Sequence, residues 1–146
     1  MFNSVFRMLK RAKSLPNRKI FLKVFLDKEV QQFIIDLNAI DQLFSRGLDS
    51  EGELTGVYAF THFDNPKKKK GEHYNFLDTG EFLHSFSVVV FVNESFKIKA
   101  DTQKDEDDLI EKFGPLLGLT DESRSRLQAE ILPRIIREVR AVILTG

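Results

Sequence analysis

Residues 87–101 switch the chain from helical to strand-like patterning, and that switch narrows the folds open to it. Ser87 to Val92 is almost continuously apolar and β-branched, Asn93-Glu94-Ser95 reads as a turn, and Phe96, Ile98 and Ala100 then alternate with Lys97, Lys99 and Asp101. Such a pattern predicts a β-hairpin with a half-buried return strand, its unbroken first run buried on both faces. A lone hairpin is marginal in water, so other elements must cover it.

Helical patterns flank this region. Val30, Phe33, Ile34, Leu37, Ile40, Leu43 and Phe44 recur at three- and four-residue steps, with Asp27 placed as N-cap and Arg46-Gly47 at the end. They predict an amphipathic helix of about five turns. Near the C-terminus Thr120 is placed to cap a last helix, with Asp121 and Glu122 at the positive end of its dipole. Leu127, Ile131, Ile135, Val139 and Val142 mark one face, Leu132, Ile136 and Ile143 widen it, and Pro133 predicts a bend. A face this broad should cross the sheet or pack on another copy. The expected fold is α+β: a long N-terminal helix, a small antiparallel sheet with a central hairpin at about 86–101, and a long C-terminal helix packed on it.

The remaining segments divide the chain into a basic amphipathic N-terminal segment, 1–26, and one α+β domain, 27–146. In the first segment Phe2, Val5, Phe6 and Leu9 share a helical face opposite basic residues, and Pro16 ends it. Residues 18–26 fit helix and strand equally. Residues 47–75 read as a long polar loop with a short strand near Val57–Phe60 and Lys67-Lys68-Lys69-Lys70 at its tip. Residues 105–113 predict a short acidic helix ended by Gly114-Pro115, and Leu116-Leu117-Gly118-Leu119 a buried apolar linker.

Net charge is zero, so nothing global points to nucleic acid. The charges are nonetheless segregated. Residues 1–26 carry Arg7, Lys10, Arg11, Lys13, Arg18, Lys19 and Lys23 with no acid, while 101–111 carry Asp101, Asp105, Glu106, Asp107, Asp108 and Glu111 against Lys104. Phe2, Phe6, Arg7, Lys10 and Arg11, the four lysines 67–70, and Asp105, Asp107 and Asp108 are therefore the candidate interface residues. They suit head-to-tail contacts between copies or charged neighbours, as well as plain solvated faces. The 14 Phe residues fit a subunit interface or a Phe-rich core. With no Cys, disulfides, thiol nucleophiles and Cys-based metal sites are excluded. No apolar run approaches the ~20 residues that span a bilayer.

Asp78-Thr79-Gly80 admits two incompatible readings. As an aspartic-protease loop it would need a second carboxylate ~3 Å away in a homodimer, sharing one proton. Phe76-Leu77 ahead of it and Leu116-Leu117-Gly118 resemble the signatures of retroviral proteases. Against this stand Glu81, where a small residue is required, the helical content, and the lack of a glycine-rich flap. As a cap, Asp78 or Thr79 accepts the first N–H groups of a short helix carrying Phe82, Leu83 and Phe86, with Glu81 in capping-box register. His84 and Ser85 are adjacent on that helix and point about 100° apart, so they form no catalytic pair. His62, His73 and His84 lack metal-ligand spacing. No catalytic residue, metal ligand, cofactor or small-molecule substrate is expected.

The order of elements resembles a family. A long helix ends in Gln42-Leu43-Phe44-Ser45-Arg46-Gly47-Leu48-Asp49-Ser50-Glu51-Gly52, then come Tyr58, a basic loop, Leu77-Asp78-Thr79-Gly80-Glu81-Phe82, Ser85-Phe86-Ser87-Val88, a hairpin, Gly118-Leu119-Thr120 and a terminal helix. This looks like small virion proteins of tailed phages and prophages, especially of Bacteroidetes-type hosts. It is similar in layout to the tail-completion or head–tail connector family, whose "TG-x-L-x-x-S" turn Thr79, Gly80, Phe82 and Ser85 match with Phe82 in place of Leu. The resemblance spans roughly 30–143. It implies a structural role in the virion, made in the host bacterial cytoplasm: an oligomeric ring at the neck or tail touching portal, connector or tail proteins. It brings no catalytic residues; separately, with no long apolar run, zero net charge and no aromatic stacking platform, neither membrane nor nucleic-acid contact is expected.

Overall fold

The computed structural model describes residues 16–61 and 68–145. The candidate residues Phe2, Phe6, Arg7, Lys10, Arg11 and Lys67 lie outside them. Helices α1 (Asn17–Phe25) and α2 (Lys28–Ile35) open the fold, and α2 continues as a π-helix over Asp36–Ser45. A one-turn helix α3 (Glu81–His84) leads into strands β1 (Ser87–Phe91) and β2 (Ser95–Lys99). A two-residue ribbon follows, β3 (Gln103–Lys104) and β4 (Asp107–Asp108), then α4 (Leu109–Phe113) and the 25-residue α5 (Asp121–Thr145). The fold is α+β, with a small antiparallel hairpin and a long C-terminal helix.

Local chemistry places most boundaries. The Asp27 carboxylate accepts from Glu29 N at 2.8 Å and Val30 N at 3.4 Å, which starts α2 as its position predicts. Thr120 Oγ1 accepts from Ser123 N at 3.1 Å and starts α5. The ambiguous 18–26 stretch is helical because Ile20, Val24 and Phe25 need a common buried face, against α5.

The hairpin register pairs Val88 with Ile98 and Val90 with Phe96. These four share the face that meets the core, under α2. The expectation that 87–92 is buried on both faces is overturned. Among the described residues this sheet has two strands, and its other face is not fully covered: Val89 is half-buried and Val92, in the turn, is 67% exposed. Residues 105–113 are likewise not one helix. Asp105 turns the chain with φ of 54°, Asp107 and Asp108 pair back onto β3, and only 109–113 are helical. The acids are stable in that turn because all stay hydrated or paired.

The core centres on α2: Val30, Ile34, Leu37, Ala39 and Leu43 are buried with Leu116, Leu119, Leu127 and Ile131. Each large aliphatic side chain so buried contributes about 1.5–3 kcal/mol. Two polar side chains are buried among them. Asn38 donates to Leu116 O at 2.9 Å and accepts from Gly118 N at 2.8 Å; Gln42 donates to Gly118 O at 2.9 Å and accepts from Thr120 N at 3.1 Å. The predicted buried linker is therefore held by side-chain amides as a neighbouring strand would hold it.

Helix α5 packs principally on α1 and α2, and α2 in turn covers β1. Ion pairs line this seam: Lys23–Glu138 at 2.9 Å, Arg134 with Glu29 at 2.9 Å and Asp27 at 3.4 Å, and Asp41 with Arg126 at 3.2 Å. Helix α5 runs unbroken through Pro133, and its last fully buried side chain is Ile131.

Candidate functional site

The segment 47–75 carries short pairings rather than full strands. Leu48 bridges Leu54 and Val57 bridges His73, with Tyr58 N donating to Glu72 O and Tyr74 N to Gly56 O, at 2.9 and 3.0 Å. These bonds bring Tyr58 and Tyr74 edge to face at 4.8 Å. Asn75, buried beside them, accepts from the Tyr58 hydroxyl at 3.1 Å and from Leu77 N at 2.9 Å. Burial pushes the Tyr58 hydroxyl up from its ordinary value. That knot holds Phe76 at φ of 57°, unusual for a bulky residue. From there the Phe76 ring meets Phe113 at 5.2 Å and Phe82 at 6.0 Å.

Tyr58, Tyr74, Phe76, Phe82 and Phe113 thus form the aromatic lining of a groove of about 410 Å³. Asp78, Thr79, Gly80 and Glu81 line it as well, together with Asp101, Gln103, Lys104, Asp105 and Asp107 and with Lys68 and Lys112. The Asp-Thr-Gly motif, one lysine of the basic tip and two of the candidate acids meet here. Lys69 and Lys70 are exposed outside it.

The capping expectation for Asp78 is corrected. Its carboxylate pairs with Lys104 Nζ of β3, and that hydrogen-bonded ammonium, helped by Lys68, lowers the Asp78 pKa below the usual carboxylate range. A charge-assisted bond of this kind outcompetes a neutral N–H partner. Gly80, left-handed at φ of 87°, occupies the N-cap position without a side chain, and Thr79 Oγ1 reaches Glu81 N only at 3.4 Å. Glu81 makes no capping box.

Ser85 has a positional role. Its hydroxyl donates to Phe82 O at 2.6 Å and accepts from Asp101 N at 2.9 Å, tying α3 to the end of β2 across the groove wall. Asp108 caps α4 through Ile110 N at 2.9 Å and accepts from Gln103 Nε2 at 3.0 Å, so it is occupied within the fold.

An ionised Asp78 beside an ammonium is the opposite of a carboxyl sharing a proton. His73 Nδ1 lies 2.9 Å from Tyr74 O, and His84 is exposed on α3. Among the described residues no cluster of three acids, histidines or cysteines could hold a metal ion, and no helix is long and apolar enough to cross a membrane. Lys104 and the aromatic lining escaped the sequence reading because they come from four separate segments. No family model, curated protein or solved structure matches the chain.

Proposed function

We propose that the chain is a phage virion structural protein, a neck or head–tail connector or tail-completion component that assembles into an oligomeric ring. The supporting observation is the distal half of α5. Past Ile131 this helix still carries a wide apolar face, yet Leu132 is 54%, Ile136 41% and Leu144 66% exposed. Several large aliphatic side chains exposed along one long helix are what another subunit covers. The order of elements and the Thr79-Gly80-x-Phe82-x-x-Ser85 turn point the same way, toward a protein that acts by contact in the virion. A homodimeric protease using Asp78 is the weaker reading, since Lys104 and Glu81 oppose a shared proton there. The test is mass in solution over a range of protein and salt concentrations. A defined oligomer is expected, and a monomer under every condition rejects the proposal. Portal, capsid and tail genes flanking the coding sequence are expected as well.

A further inference from the structure

We infer that the groove is the receptor for the basic N-terminal end, residues 1–19, of a second copy of the chain. This rests on the assembly reading and assigns it a copy-to-copy contact.

The groove's charges are unequal. Asp78 is paired with Lys104, and Asp107 lies 3.7 Å from Lys112. Among the described residues that leaves Glu81, Asp101 and Asp105 against Lys68. The same groove is lined by aromatic rings, whose faces attract cations; Lys112 already sits 5.5 Å from the centroid of Phe113. Acids and aromatic rings in one groove select a partner carrying both positive charge and apolar rings.

Residues 1–19 have that composition. They hold Arg7, Lys10, Arg11, Lys13, Arg18 and Lys19 without an acid, together with Phe2 and Phe6. Arg18 and Lys19 are exposed on α1, with no ion pair among the described residues. Donor and acceptor surfaces differ, so the contact can be satisfied by reciprocal exchange in a two-fold dimer or head to tail around a ring.

Two charge variants of the full chain test this. Glu81→Lys with Asp105→Asn alters two exposed groove residues, and Asn tolerates the left-handed turn at 105. Arg7→Glu with Arg11→Glu and Arg18→Glu alters the basic end. Wild-type association is expected to weaken about tenfold or more on raising salt, as screened charges require. Each variant should lose that salt-sensitive part. An equimolar mixture should regain it and stop at 1:1 complexes, because only one intact groove and one intact basic end remain between the two. Glu81→Gln with Asp105→Asn, which adds no charge, should give an intermediate loss. The inference is overturned if both variants associate as wild type, or if the mixture regains nothing. Wild-type assembly insensitive to salt rejects the groove contact while leaving the assembly reading standing. A wild-type monomer throughout rejects both.

Discussion

Asn38 and Gly118 are joined through the Asn38 Oδ1, which accepts the glycine N–H at 2.8 Å in the middle of the core. Asn38→Leu removes that acceptor and the donor to Leu116 O, leaving two buried backbone groups unpaired. The expected loss is about 3 kcal/mol, read from the denaturant midpoint. Gln42→Leu should cost a similar amount. The double variant should lose less than the sum, because one released segment answers for both. A loss under about 1 kcal/mol for Asn38→Leu contradicts this account.

Asp78 sets a pH dependence. Its folded pKa is lowered by Lys104, so the stability it contributes is present above the unfolded carboxylate value, about 4, and disappears as pH falls through the folded value. The stability difference between wild type and Asp78→Asn should therefore be positive at neutral pH and vanish in acid. The side chains are about half exposed, so the effect is small. A difference that grows below pH ~4 would instead mark a carboxyl that works protonated.

Ser85→Ala breaks the bridge between Phe82 O and Asp101 N. About 1 kcal/mol is expected, with faster amide exchange at Asp101 and unchanged exchange in α2. Uniform loss of protection would make Ser85 a global rather than a local tie.

Gly56 has φ of 138°, and a Cβ there would come within 2.4 Å of the Tyr74 ring. Gly56→Ala should cost about 2 kcal/mol and displace that ring. The chain has two tyrosines, Tyr58 and Tyr74, both in the groove lining and with no Trp to mask them, so tyrosine emission should report the displacement.

Leu132→Glu with Ile136→Lys places charge on exposed positions. The monomer's unfolding free energy should stay within about 0.5 kcal/mol of wild type while the mass in solution falls. Unchanged mass would remove the distal α5 face from the assembly.

The legible parts of this fold are the ones written locally. Asp27 and Thr120 cap the helices that follow them, and the alternation at 96–101 sets the hairpin. Asp78 was misleading because its partner Lys104 lies 26 residues along the chain and its cap register fits locally. The β3–β4 ribbon has no apolar alternation, so its acids read as helix. Asn38 and Gln42 stand four apart on the apolar side of a helix, a signal present in the sequence, but their partners 76 to 80 residues away are not. The groove's aromatic lining escapes periodicity altogether, since Tyr58, Tyr74 and Phe76 lie outside any helix or strand and meet Phe82 and Phe113 from two short, separate helices.

The amide clamp also bears on how the molecule avoids sticking to itself. Residues 116–120 form no strand and bend at Leu117 and Gly118, yet open N–H and C=O groups in such a segment would still invite pairing by another chain. Leu116 O, Gly118 N, Gly118 O and Thr120 N are all engaged by Asn38 and Gln42. Those four groups are therefore closed to a stray strand, and another copy can meet this segment only through its side chains.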